Sequence, residues 1–307
     1  MAPAGVLISG ASGLVGSALV PALEAGGARV LRLTRRAGSE PDALVWNPDA
    51  RSIPRAALEG LDAVVHLAGE SIATGRWTQA RKARLLGSRI GGTRLLCETL
   101  AALERPPRVL VSASATGYYG DRGGEVLDEE CLPGSGFLAG LARAWEESTA
   151  VAEARGIRVV CLRIAPVLAP RGGLLAPLRL PFMLGLGGPL GSGRQWMSWI
   201  ALDDLIAVIR HVLSRDGLRG AINAAAPGAV TNREFTRTLA RVLRRPAILR
   251  VPAVVLRIVL GELADEALLA STRVEPRRLV ASDFAFRYPE LEPALRQALG
   301  CVPPGTD

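Results

Sequence analysis

Through its first half the chain alternates short apolar runs with longer stretches whose apolar positions recur every three or four residues. Gly5-Val6-Leu7-Ile8-Ser9 predicts a strand buried on both faces, followed by a glycine-rich turn and a helix from about Leu14 to Ala25. Gly26-Gly27 stops that helix, and Arg29-Val30-Leu31-Arg32-Leu33 is the second strand. Further strands are expected at Leu44-Val45-Trp46, Ala63-Val64-Val65-His66-Leu67, Arg108-Val109-Leu110-Val111-Ser112 and Val159-Val160-Cys161-Leu162-Arg163. Helical patterns lie between them, around Thr78–Leu103 and Phe137–Ala154. Strands alternating with helices at this rhythm predict an α/β fold, a Rossmann-type doubly wound parallel sheet with helices on both faces.

After Ala165 the texture changes. Pro166, Pro170, Pro177, Pro181 and Pro189 are spread among glycines, which predicts a loop-rich excursion. Trp199-Ile200, Ile206–Leu213 and Gly220-Ala221-Ile222-Asn223 return to strand and helix character, and from Thr231 the pattern is mostly helical, with Phe235, Leu239 and Val242 on one face. The expected division is a dinucleotide-binding domain of residues 1–167 and 199–228, and a smaller, mostly helical substrate-side lobe of residues 168–198 and 229–307.

The 307 residues are 49% hydrophobic and 21% charged, with a mean hydropathy of +0.25, which excludes a disordered chain. No stretch is long and uninterrupted enough for a membrane span, and the apolar N-terminus lacks the basic flank of a signal peptide. Cys97, Cys131, Cys161 and Cys301 are far apart and only two histidines are present, so neither a metal site nor a disulfide framework is expected. A reduced, cytoplasmic protein follows. The net charge of +8 is carried almost wholly by scattered arginines, Lys82 being the only lysine. No basic block marks a nucleic-acid tail, so neither nucleic acid nor membrane is an expected partner. An anionic small molecule and a homo-oligomer are both compatible with the charge.

Gly10-Ala11-Ser12-Gly13-Leu14-Val15-Gly16 is a G-x-x-G-x-x-G turn between the first strand and the first helix. In a chain with 34 glycines the pattern alone is weak, and the strand–turn–helix context carries it. Without a Cβ the backbone can lie against a diphosphate whose charge then sits at a helix N-terminus. An ordinary βα turn is the alternative. NAD-binding folds usually place Asp or Glu at the end of the second strand; here Thr34-Arg35-Arg36 stands instead. A guanidinium pairs with a 2′-phosphate that a carboxylate would repel, which favours NADP over NAD.

Further motifs follow in order: Leu67-Ala68-Gly69-Glu70, Arg76-Trp77, Ser88-Arg89, Ser112 through Gly120, Trp145-Glu146, Leu184 through Gly193, and Trp199 through Asp204. With these the chain resembles the epimerase family subgroup of atypical extended short-chain dehydrogenases/reductases, over residues 4–300. The resemblance implies an NADP site formed by Gly10, Ser12, Gly13, Leu14, Val15 and Gly16, then Thr34, Arg35, Arg36, Leu67, Ala68, Gly69 and Arg89. Val167 matches where relatives pass the nicotinamide. Arg89 stands where extended members usually carry Asn, and His66 where this subgroup commonly carries Asn; a strand-end histidine bonded to backbone is its plainer role.

Carbonyl reduction in this superfamily uses Ser, Tyr and a Lys four residues after the Tyr. No Tyr-x-x-x-Lys exists in this chain, and on the corresponding helix the resemblance puts Phe137 and Leu141. The remaining hydroxyls are Ser114, Tyr118 and Tyr119 at the mouth of the fifth strand, where ligands bind in such sheets. Ser114 is the candidate to hold a carbonyl and Tyr118 or Tyr119 to give the proton, with Arg194 assisting. Glu146 reads as a solvated helix residue, and Asp203-Asp204 as an N-cap with a first-turn acid. Residues 185–193 resemble a flexible wall near a substrate, with Trp196 and Trp199 either its apolar face or core. The expected function is an NADP(H)-dependent oxidoreductase or epimerase-like enzyme for an unidentified small molecule. The alternative is a non-catalytic NADPH-binding sensor.

Overall fold

The computed structural model describes residues 3–36, 42–73 and 75–301. Its centre is a sheet of seven strands: β1 (Gly5–Ser9), β2 (Arg29–Thr34), β3 (Ala43–Val45), β4 (Ala63–His66), β5 (Val109–Ala115), β6 (Arg158–Ile164) and β7 (Gly220–Ala224). They lie in the order β7-β6-β5-β4-β1-β2-β3, and every neighbouring pair is parallel. This is the Rossmann order with a seventh strand added at one edge, and the strand order reverses between β1 and β4.

The two-residue period of the strands builds both faces. Val6 and Ile8 of β1 join Val65, Val111 and Leu162 in one core, against helix α1 (Leu14–Glu24) and the Leu202–Ser214 helix. Leu7 points the other way and joins Val64, Leu110, Val159 and Cys161 against helix α3 (Gly92–Ala101). Both faces are therefore dry, which is why these strands read as unbroken apolar runs.

The expected long helix of 78–103 is three pieces: α2 (Gln79–Leu86), a wide π turn at Gly87–Gly91, and α3. Helix α4 (Phe137–Glu147) is followed by a separate short helix at Ala150–Ala154. The expected loop-rich excursion contains a helix at Leu175–Met183. Pro177 falls in its first turn, where no intrahelical N–H is needed, and Pro181 stands inside it; the helix spans both and buries Leu175 and Phe182. A capping box between Thr231 and Glu234 starts the Asn232–Leu243 helix, whose Phe235, Leu239 and Val242 are buried as the periodicity predicts.

Leu175, Phe182, Trp199, Phe235, Leu239 and Leu295 form a third core beside the sheet. The C-terminal stretch is shared between cores: Val274 and Leu279 pack into the sheet-side cluster, and Arg273–Val274 pairs with Val126–Leu127. Asp204 helps hold this stretch. Asp203 is not the N-cap, a place that Ala201 takes; Asp204 lies in the first turn as expected, and it is buried with its two oxygens accepting from Arg287 N at 2.8 Å and Tyr288 N at 3.0 Å. Burial pushes its carboxyl above the ordinary range against those two bonds.

Leu96 on α3 is wholly buried in the second core. Leu96→Ala should lower unfolding stability by about 2–5 kcal/mol in urea titration. A loss below about 1 kcal/mol would contradict the packing described for that face.

Candidate active site

The carboxyl ends of β1 and β4 frame the crevice. Gly10 has φ +71°, and a Cβ there would stand 2.9 Å from the Leu67 carbonyl and the Ala68 nitrogen. At Gly16 a Cβ would stand 2.3 Å from Gly10 O. Neither position has room for a side chain, so the turn lies flat against the end of β4. Gly13 precedes α1 without a side-chain cap, and no acid occupies the first turn, so the amides of Leu14 and its neighbours remain available to an anion.

Ser9 ties the two strand ends together. Its Oγ accepts from Leu67 N at 3.2 Å and Ala68 N at 3.3 Å, and lies 2.6 Å from His66 Nδ1. With both amides donating to it, the Ser9 hydroxyl gives its proton to Nδ1, leaving the imidazole proton on Nε2 to reach Thr93 Oγ1 at 3.0 Å. His66 is thus bonded to two hydroxyls rather than to backbone. Its complete burial lowers its pKa to about 4, so the ring is neutral at pH 7.

Arg89 is carried by the π turn, a device the sequence period does not reveal. Its guanidinium lies over the Trp145 ring at 5.0 Å and beneath Gly69, where a Cβ would sit 3.4 Å from Arg89 Cζ. Burial brings its pKa down to about 10, so it stays charged, and its Nη1 is buried with no hydrogen-bond partner. A buried, charged donor left open beside Leu67-Ala68-Gly69 suits an incoming acceptor. Arg35 and Arg36 are exposed beyond the end of β2, and Thr34 Oγ1 donates to Arg36 O at 2.6 Å.

At the mouth of β5 the structure assembles a buried polar network. Ser114 Oγ donates to Glu146 Oε1 at 2.6 Å. Arg163 on β6 grips the same carboxylate with both prongs at 2.9 Å, and its third nitrogen donates to the Tyr119 hydroxyl at 3.0 Å. Glu146 is therefore no solvated helix residue. Tyr119 is wholly buried, and its hydroxyl bonds Asn223 Oδ1 at 2.7 Å and Asp128 O at 2.9 Å. Burial raises its pKa to about 12. Its hydroxyl is thus committed inside the network to Asn223, Asp128 and Arg163.

Tyr118 differs. It is half-buried, its ring lies 3.5 Å from Arg163 Cζ, and its hydroxyl has no hydrogen-bond partner among the described residues. Phe137 packs edge-on against Trp77, and Leu141 is buried in the same cluster. Lys82 comes to the same place from α2, 5.0 Å from the Phe137 ring, but is ion-paired with Glu262.

Val167 lies just beyond β6, in a short parallel pairing with the Ile200–Ala201 segment, and its carbonyl accepts from Leu174 N at 2.9 Å. The glycine-rich run is held rather than loose: Gly187 O and Pro189 O accept from Leu249 N and Val251 N, and Gly191 N donates to Val251 O. A Cβ on Gly188 would stand 1.8 Å from Leu249 O. Trp199 is core, its indole N–H bonded to Gly228 O at 2.8 Å. Trp196 instead lines a cavity, and Arg194 is exposed and is not one of the residues lining it. Arg163 and Asn223 were absent from the sequence-derived site. Their signal was a charged and an amide side chain inside otherwise apolar strands, positions that demand a partner.

The chain belongs to the NAD dependent epimerase/dehydratase family, whose model matches residues 6–225; a domain of unknown function matches residues 251–298. Within it, the chain is of the atypical extended short-chain dehydrogenase/reductase type. It is 43% identical over 298 residues to an epimerase family protein of Mycobacterium bovis, covering 97% of this chain and 98% of that one. It is 34% identical over 295 residues to the human epimerase family protein SDR39U1, covering 95% and 98%. A crystal structure of the human protein (isoform 2) with NADPH superposes with a TM-score of 0.89 at 33% identity, covering 97% of this chain and all of that chain.

Two outcomes test the site's electrostatics. The folded imidazole of His66 takes a proton only near pH 4, whereas the unfolded one does so near 6.5. The unfolded state thus binds the extra proton between those values, and stability is lost as pH falls through the window. Relative to His66→Asn, the native chain should lose about 3 kcal/mol between pH 6.5 and 4 in urea titrations, and a constant difference would contradict a buried neutral ring. Arg163→Met, which strands the Glu146 carboxylate, should cost about 3–5 kcal/mol. Adding Glu146→Leu should recover much of it; no recovery would show that the pair is not the issue.

Proposed function

We propose that this protein is an NADP(H)-dependent oxidoreductase acting on the carbonyl group, or the corresponding alcohol, of a small molecule. The observation that carries the proposal is the Gly10–Gly16 turn, pressed against β4 at the point of strand reversal with an uncapped helix behind it. The unpartnered Arg89 Nη1 beside Gly69 adds a donor, and a relative 33% identical was crystallised with NADPH. In this reading the amides of Leu14 and Val15, at the uncapped start of the first helix, hold the diphosphate. Arg35 and Arg36 take the 2′-phosphate, Leu67-Ala68-Gly69 flank the adenine–ribose half, and Val167 borders the nicotinamide.

When bound, NADPH supplies the hydride, two electrons with the hydrogen nucleus, to the carbonyl carbon. The chain's own residues manage the oxygen. Ser114 already donates to Glu146, so its free lone pairs accept from a substrate hydroxyl; turning away from Glu146 would let it donate to a carbonyl. Glu146 is kept in place by the two prongs of Arg163. Tyr118, with its hydroxyl uncommitted, delivers the proton that turns the former carbonyl oxygen into an alcohol and is reprotonated from solvent. Phe137 and Leu141 at the usual Tyr and Lys positions favour the alternative, a protein that holds NADPH without turning it over.

NADPH oxidation across a panel of aldehydes and ketones tests the proposal. Tyr118→Phe should lower turnover by about 10²–10⁴-fold, with a smaller loss for Ser114→Ala. Arg35→Ala/Arg36→Ala should raise the NADPH dissociation constant by about 10–100-fold while leaving NADH unchanged. Tight NADPH binding with no oxidation by any carbonyl would favour the sensor, and turnover unchanged in both Tyr118→Phe and Ser114→Ala would refute the assigned roles.

A further inference from the structure

The cavity beside Trp196 says what kind of molecule this site takes. It has a volume of about 210 Å³, and its wall includes Leu178, Phe182, Trp196, Phe235, Val251 and Leu268. No Arg, Lys, Asp or Glu is among its lining residues. Pro166 borders it, one residue before Val167, so the cavity lies next to the strand end that the proposed function assigns to the nicotinamide. Its half-exposed Leu186 carries apolar surface from the interior to solvent.

The cavity's few polar groups are neutral and differ in how fully they are used. Ser198 Oγ is spent, donating to Thr272 O at 2.9 Å and accepting from Val274 N at 2.8 Å. Asn232 is buried; its Oδ1 accepts from Leu190 N at 2.8 Å, but its NH₂ has only the Met197 thioether, a weak acceptor, at 3.2 Å. The Thr236 side chain, also buried, makes no hydrogen bond with the described residues. A buried amide with one N–H unused and the other only weakly bonded, in an apolar chamber, suits one neutral oxygen on a ligand.

We infer that the substrate is an uncharged carbonyl compound with a largely hydrocarbon body, about the size of a substituted aromatic ring, and a neutral oxygen received by Asn232. An apolar cavity of about 150 Å³ accommodates benzene, which sets the scale. A nucleoside diphosphate, the group that a sugar-nucleotide substrate would bring, does not fit this cavity. Its two negative charges would be desolvated with no cation in the wall, and Arg273, which follows the lining Thr272, is stacked on the Trp196 ring at 4.3 Å. The inference rests on the oxidoreductase reading for the carbonyl, but not for the cavity's chemistry.

The test uses the full chain and the neutral fluorophore N-phenyl-1-naphthylamine, which brightens in apolar surroundings. The probe should bind, and 4-phenyl-2-butanone should displace it while UDP-glucose at millimolar concentration should not. Leu178→Trp, which fills the chamber, and Leu186→Trp at the exposed mouth should each weaken probe binding tenfold or more. Probe binding unaffected by both substitutions, or displacement by UDP-glucose and not by the ketone, would overturn the inference. A separate fluorescence titration with NADPH keeps the two proposals apart. Ketone binding without NADPH binding refutes the oxidoreductase reading and leaves the cavity assignment standing; NADPH binding with no displacement by the ketone does the reverse.

Discussion

The contact on which the rest depends is the approach of the first loop to the end of β4. Gly10 and Gly16 allow the chain to fold so tightly that any side chain at either position would overlap main-chain atoms. Ser9 then bolts the two strand ends together through the amides of Leu67 and Ala68 and through His66. This constraint fixes the crevice at the one place where consecutive crossovers leave in opposite directions. A cleft at that point is open to a ligand because no helix can cover it. His66, Thr93 and Trp145 extend the bolt across the sheet to α3 and α4, so the crevice is braced from behind by a continuous hydrogen-bonded chain.

A second buried network stands at β5 and β6. Arg163 serves Glu146 with two nitrogens and Tyr119 with the third, and Glu146 in turn holds Ser114. Such a cluster is costly to desolvate and tolerable only because every member is satisfied. It also explains the division of labour between the adjacent tyrosines: Tyr119 is consumed by Asn223 and Asp128, and Tyr118 is left with a free hydroxyl above the same guanidinium. Phe137 and Leu141, by contrast, are taken up in apolar packing around Trp77 and Leu263.

The sheet was legible in the sequence because strands dry on both faces must be apolar at every position, and runs such as Val6-Leu7-Ile8 satisfy that. The glycine turn was legible because its residues are local and contiguous. The Leu175–Met183 helix was not, since its two prolines, Pro177 in the first turn and Pro181 inside, outweighed the helical pattern. The π turn at Gly87–Gly91 was hidden because one wide turn barely alters a hydrophobic period. Glu146 was misjudged, and the burial of the first-turn acid Asp204 was missed, for a common reason: their partners, Arg163 at 17 residues' distance and the amides of Arg287 and Tyr288 more than 80 residues away, come near only in the fold. Local rules favour solvent or a helix cap for an acid whose long-range partner cannot be seen.

The central claim is that main-chain amides at the first turn hold a diphosphate while arginines beyond β2 choose the phosphorylated adenosine. Isothermal titration of the purified chain with NADPH and with NADH tests it most directly. The account predicts saturable one-to-one binding of NADPH, with NADH weaker by tenfold or more. Absence of heat with both nucleotides, or tighter binding of NADH, would contradict it.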